Sequence, residues 1–209
     1  MRKTDEPRWA RGLAKPPAWR SEGPQTVFDS PWMAVTRHPA TAPTGMKADY
    51  AVVRFKNVGT GVLPVHDDGT VTLVGQQRFA HGNYSWEMPE GGAPLDEDPF
   101  DGVRRELAEE AGLHAEHWAP ALTIEMSNSI TDEMGMTWIA WGLSPVMTAP
   151  DPTEIITVVR APFLDLLDEI GRGTVRDGLT VATAYKAYHM AMNGALPQAL
   201  AQAMLGRLG

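Results

Sequence analysis

At 209 residues the chain has room for one domain with an added segment, or for two small ones. Hydrophobic residues at 43% and charged residues at 21% allow a real core and exclude a wholly disordered chain, while zero cysteines exclude disulfide staples, zinc ribbons and thiolate catalysis and suit a reducing, cytoplasmic setting. A net charge of −8 argues against non-specific nucleic-acid binding, and the lack of any run of about 18 apolar residues gives no support for a membrane span or an export signal.

The first 25 residues read as an extended basic arm. Arg2, Lys3, Arg8, Arg11, Lys15 and Arg20 outnumber Asp5, Glu6 and Glu22, so the arm carries +3 and the remainder −11. Pro7, Pro16, Pro17 and Pro24 keep it from being helical, because each lacks an N–H and restrains its predecessor. From residue 26 short β-branched and apolar runs predict strands at Thr26–Phe28, Met33–Thr36, Tyr50–Phe55 and Val62–Val65. Val62–Val65 and Val71–Val74 flank His66-Asp67-Asp68-Gly69-Thr70, whose Asp and Gly suit a hairpin loop, so this pair is expected to be antiparallel.

Residues 99–111 switch to helical period, with Phe100, Val103, Leu107 and Ala111 as an apolar stripe. Asp98 is placed to cap this helix, Pro99 to occupy its first position and Gly112 to end it. Further strands are predicted at Leu122–Met126, Met136–Leu143 and Ile155–Val159, with a polar loop, Ser127–Glu133, between the first two. Three helices follow, one opened by Pro162, one over Leu179–Met192 and one opened by Pro197. This order predicts a mixed α/β fold with a sheet between helices. His114 and His117 read as surface residues past the helix end, and the methionines of residues 188–204 as core.

The helix carries Glu106, Glu109 and Glu110 on one face, opposite the apolar stripe. Three clustered anions repel, so either Arg104 and Arg105 or bound cations are needed to compensate. Hard cations such as Mg²⁺ prefer carboxylate oxygen and usually share a site with substrate phosphates, and Mn²⁺ takes the same ligands. Gly91, Glu97, Arg105, Glu106, Leu107, Glu109, Glu110, Gly112 and Leu113 match every fixed position of the Nudix box, Gly-x5-Glu-x7-Arg-Glu-U-x-Glu-Glu-x-Gly-U, with U a bulky aliphatic residue. At ordinary residue usage such a match arises about once in ten million starts, so a merely solvated helix face does not account for it.

The chain therefore resembles the Nudix hydrolases, and the resemblance implies an α/β/α sandwich around a mixed sheet. It implies Glu106 and Glu110 as principal Mg²⁺ ligands, Glu109 as a further ligand and the carbonyl of Glu90 as a backbone ligand. Arg105 and Glu97 would orient them. Gly75–Gly92, GQQRFAHGNYSWEMPEGG, is similar to the approach segment of the ADP-ribose pyrophosphatase and nucleoside-diphosphate-sugar hydrolase branch. There the position of Arg78 contacts phosphate and Glu87 lies near the metals; a structural ion pair is the alternative for Arg78. Trp86 reads as core. Ser127–Glu133 falls where that branch keeps a mobile loop with a catalytic glutamate, which makes Glu133 the candidate base and Asp132 its alternate. ADP-ribose enzymes typically carry a proline where this chain has Asn128, which shifts the expectation toward a broader nucleoside-diphosphate-sugar hydrolase.

The resemblance also implies a homodimer whose N-terminal strands take part in the interface. Within that segment Trp32 either stacks on a base or packs in a core. The expected organisation is a basic arm over residues 1–25, an N-terminal β segment over 26–60 and a Nudix domain over 61–209. The implied activity is Mg²⁺-dependent hydrolysis of the diphosphate in a nucleoside diphosphate sugar such as ADP-ribose, ADP-glucose or GDP-mannose. The other readings are a Nudix pyrophosphatase for dinucleotides or oxidised nucleotides, or a regulatory ligand-binding module on the same scaffold.

Overall fold

The computed structural model describes residues 7–148, 153 and 155–207. The chain divides into two units, one up to Arg54 and one from Phe55 onward.

The first unit is a small antiparallel assembly. Its strands are β1 (Arg20–Ser21), β2 (Gln25–Asp29), β3 (Met33–Thr41) and β4 (Lys47–Phe55), which runs up to the boundary. β1 and β2 pair antiparallel with different stretches of β3, and β4 also pairs with β3. The β2–β3 register slips at Val27, so this residue bulges out of the ladder. Ser30 closes the hairpin, its hydroxyl accepting from the Met33 N–H.

The second unit holds two sheets. One has the order β8 (Glu90–Pro94), β5 (Asn57–Pro64), β10 (Met134–Pro145), β9 (Leu113–Glu125). β5 and β10 are parallel and both outer pairings are antiparallel, so the sheet is mixed. The other is antiparallel, with β6 (Thr70–Arg78) between β11 (Thr157–Pro162) and β7 (Asn83–Glu87). The antiparallel pairing expected between Val62–Val65 and Val71–Val74 is reduced to a single bridge, Val65 to Val71, across a turn with Gly69 at φ 79°, because β5 pairs with β8 and β10 while β6 pairs with β7 and β11 in the other sheet.

Alternation along β5 and β10 sorts side chains to two cores. Val62, Trp138 and Ala140 pack with Val103 and Leu107 of helix α1 (Pro99–Ala111). Leu63 and Ile139, one residue along, join a cluster with α2 (Phe163–Gly171), α3 (Gly178–Met192) and α4 (Gln198–Met204). The mixed sheet is thus covered by α1 on one face and by the later helices on the other, the expected α/β/α layering.

Helix α1 begins and ends where its sequence signals lie. Asp98 accepts a hydrogen bond from the Phe100 N–H at 2.9 Å, Pro99 opens the helix, and Gly112 closes it at φ 63°. Met190 and Met204 are buried, whereas Met192 is 45% exposed. His114 and His117 are exposed as expected, but they sit within β9, which starts directly after Gly112 rather than at Leu122. Trp86 packs against the larger core, edge-on to Tyr84 at 5.5 Å.

Candidate active site

The site is built where α1 lies along β8. β8 is Glu90-Gly91-Gly92-Ala93-Pro94, paired antiparallel with β5. Gly91 has no side chain, and the Glu106 carboxylate fills the vacant space: a Cβ on Gly91 would lie 2.3 Å from the Glu106 carboxyl carbon. One helical turn later Glu110, 5% exposed, accepts a hydrogen bond from the Glu90 N–H at 2.9 Å. Both carboxylates therefore converge on the Glu90–Gly91 segment. Glu106 and Glu110 thus point into the protein, while Glu109 on the same face stays partly exposed.

Arg105 binds this face together. Its Nη1 donates to Glu106 at 2.7 Å and to Glu109 at 3.2 Å, its Nη2 donates to the Gly92 carbonyl at 3.3 Å, and Glu97 lies 3.7 Å from Nη2. A planar guanidinium with forked donors can hold several acceptors in fixed directions, which a lysine ammonium cannot. Glu97, Arg105, Glu106 and Glu109 thus form one connected group.

A second group sits on β6, β7 and the start of β8. Arg78 donates through Nε to both oxygens of Glu87 at 3.0 Å and through Nη2 to Glu87 and, at 3.2 Å, to Glu90. Glu87 is 2% exposed, so its pairing with Arg78 is what makes burying it tolerable. These bonds raise the Arg78 pKa further, chiefly through Glu87. Burial, followed by the nearby charges of Asp177 and Glu87, holds the Glu90 carboxyl well above its usual range. Its Oε2 is buried without a hydrogen-bond partner. Oxygens of Glu87, Glu90 and Asp177 lie within 4.8 Å of one another.

The loop before β10 completes the arrangement. It is a hydrogen-bonded turn: the Met126 N–H donates to the Glu133 carbonyl at 2.9 Å, the Ile130 N–H donates to Ser127, and Ser127 has φ 43°. Glu133 lines a chamber of about 250 Å³ together with Arg78, Glu90, Gly91 and Gly92. Partial burial raises its carboxyl pKa. Asp132 instead turns back, its Oδ1 accepting from the Phe55 N–H at 2.9 Å. A second chamber, of about 830 Å³, shares Arg78 and Glu90 and adds Glu87, Arg176 and Asp177.

The structure thus gathers Arg78, Glu87, Glu90, Glu97, Arg105, Glu106, Glu109, Glu110 and Glu133 within the second unit. Trp32 belongs to the first unit, where it is 72% exposed in the β2–β3 turn rather than packed in a core. Asp177 and Arg176 carried no expectation. Asp177 is legible as a helix cap ahead of Gly178-Leu179-Thr180, but nothing near it in sequence ties it to the carboxylates. The donor set suits a hard divalent cation, since it is all oxygen and Gly91 gives Glu106 the room to face its backbone.

A NUDIX domain family model matches residues 55–177, more than half of the chain. The chain is 25% identical over 179 residues to an ADP-ribose pyrophosphatase of Mycobacterium tuberculosis, covering 84% of this chain and 86% of that protein. It is 26% identical over 166 residues to a CMP-5'-(N-acetyl-N-hydroxy-3-aminopropyl)phosphonate hydrolase of Streptomyces rubellomurinus, covering 79% and 77%. A solved ADP compounds hydrolase superposes with a TM-score of 0.78 at 18% identity, over 88% of this chain and all of that one, which establishes the shared fold. The family model, matched over more than half of the chain, shows that the chain belongs to the Nudix family, as a pyrophosphohydrolase.

Proposed function

We propose that this enzyme hydrolyses the diphosphate of nucleoside diphosphate sugars to a nucleoside monophosphate and a sugar phosphate. The observation that carries the reading is the convergence of Glu106 and Glu110 on the Glu90–Gly91 segment, with Arg78 and Glu133 lining the adjoining chamber. The relatives named as an ADP-ribose pyrophosphatase and a CMP-linked phosphonate hydrolase support a substrate in which a nucleotide is joined to a second group. ADP-ribose, ADP-glucose and GDP-mannose are the substrates of this type to try first.

Mg²⁺, or Mn²⁺ in its place, held by Glu106, Glu109, Glu110 and the Glu90 carbonyl would supply charge neutralisation for the diphosphate and an acidified water. Arg105, braced by Glu97, keeps Glu106 and Glu109 in fixed poses. Arg78, itself held by Glu87 and Glu90, presents a cation to a phosphate oxygen. Glu133 accepts the proton of the attacking water, and the raised pKa of its partly buried carboxyl makes it the stronger base. The water oxygen bonds to one phosphorus, the bond from that phosphorus to the bridging oxygen breaks, and the bridging oxygen leaves with the other phosphate.

The organisation proposed is an N-terminal β segment that pairs with a second copy in a homodimer, preceded by the basic arm, and a hydrolase domain that begins at Phe55 rather than at residue 61. The exposed indole of Trp32 makes it the residue proposed to stack on the base. A cytoplasmic setting is proposed from the cysteine-free composition; among the described residues no helix is long and apolar enough to cross a membrane.

The test is phosphate release, after added phosphatase, from ADP-ribose, ADP-glucose, GDP-mannose, UDP-glucose, a dinucleoside polyphosphate and an oxidised nucleoside triphosphate with Mg²⁺. Turnover concentrated on the diphosphate sugars is expected. Preference for the dinucleotide or the oxidised nucleotide would replace this reading, and silence on all of them with metal bound would point to a regulatory module.

A further inference from the structure

Two chambers meet at Arg78 and Glu90. The smaller, with Gly91 and Glu133, adjoins the box carboxylates and takes the diphosphate under the reading above, on which this inference rests. The larger, about 830 Å³, is of small-molecule size and receives a group attached to that diphosphate.

Its lining decides which group fits. A nucleobase is a flat π-system best held by stacking, yet among the described residues no Phe, Tyr or Trp lines this chamber. A further anionic group would meet Glu87, Glu90 and Asp177, whose oxygens cluster within 4.8 Å and which outnumber the two lining arginines, Arg176 and an Arg78 already bound to two of them. A neutral group rich in hydroxyls suits it: ionised carboxylates only accept hydrogen bonds, hydroxyls donate them, and such charge-assisted bonds are the stronger kind. Asp177 lines the chamber as such an acceptor.

Asp177 is the member of this cluster best placed to read a ligand. Its Oδ2 accepts the Thr180 N–H at 2.7 Å, which fixes the side chain as the cap of α3. The buried Thr180 hydroxyl in turn accepts the Met88 N–H at 2.9 Å, tying the start of α3 to the segment that carries Glu87 and Glu90. A side chain so anchored loses little freedom when it binds.

We propose that the larger chamber is the subsite for the sugar half of the substrate, and that Asp177 determines specificity by accepting hydrogen bonds from the sugar's hydroxyl groups. The test measures kcat/KM of the wild type, Asp177→Asn and Asp177→Ala on a nucleoside diphosphate hexose and on its monodeoxy analogues with the same base. Asparagine caps a helix as well as aspartate, so Asp177→Asn preserves the start of α3. For at least one hydroxyl, its removal is expected to cost the wild type about ten- to a hundredfold. The same removal is expected to cost Asp177→Ala less than about threefold, with Asp177→Asn in between. Equal penalties in all three enzymes, or no penalty for any missing hydroxyl in a wild type that turns over the hexose, would overturn the subsite and leave the hydrolase reading standing. A wild type silent on every diphosphate sugar would defeat that reading and this inference with it.

Discussion

Gly91 shows how one missing side chain shapes the chemistry. A Cβ there would lie 2.3 Å from the Glu106 carboxyl carbon, and the atom that would have to move is the free end of a flexible side chain. Gly91→Ala should therefore leave the fold nearly intact while displacing the carboxylate, lowering kcat/KM with Mg²⁺ by more than about tenfold with little change in Tm. A parallel loss of both would mean that Gly91 serves the backbone alone. Glu106→Gln and Glu110→Gln keep the shape of the side chain and remove its charge. Each should cost more than about a hundredfold in turnover with the circular dichroism spectrum unchanged, and a variant retaining most of its rate would refute the metal assignment. The box residues were legible because a helix converts fixed spacing into a shared face. Asp177 was not legible, because what joins it to Glu87 and Glu90 is the packing of α3, through the Thr180 hydroxyl, and no spacing in the chain encodes that.

At the scale of elements, local signals served where local forces dominate. Helix α1 runs from Pro99 to Ala111 because Asp98, Pro99 and Gly112 satisfy its ends. β8 could not be read in the same way. Two glycines and a proline disfavour a strand, and its pairing with β5 overrides that propensity. The start of β9 was hidden for a related reason: its polar residues alternate with Leu113 and Ala115, and only the pairing with β10 makes them a strand. The turn between β5 and β6 carries its own pH signature. His66 lies against Thr72, with its ring nitrogen 2.8 Å from the hydroxyl, and burial lowers its pKa below 6.5. The unfolded chain then binds a proton at His66 more readily than the folded one, so this contribution to stability is present above about pH 6.5 and is lost as pH falls toward the lowered value. Replacing His66 by Gln should make the fall in Tm between pH 7.5 and 5.5 smaller than in the wild type. An unchanged fall would show that His66 titrates alike in both states.

At the scale of the whole molecule, the α/β/α layering follows from the strand pattern and the box, whereas the surface of the first unit depends on residues whose burial the sequence leaves open. Trp32 could have been a core residue by type, but it is 72% exposed, beside a strand whose five positions are all exposed. Val27 and Phe28, 61% and 50% exposed, sit on that strand, which has β3 as its only named partner among the described residues. An edge strand bearing large apolar side chains is a template for pairing with another chain, and proteins that remain monomeric usually guard such edges with charge. The proposed homodimer supplies the cover. Replacing Val27 and Phe28 together by Asp should convert a dimer into a monomer at micromolar concentration in sedimentation velocity. Because neither side chain is buried within its own chain, Tm at high dilution should change little. A wild type that already sediments as a monomer, or a doubly substituted protein that remains a dimer, would place the interface elsewhere.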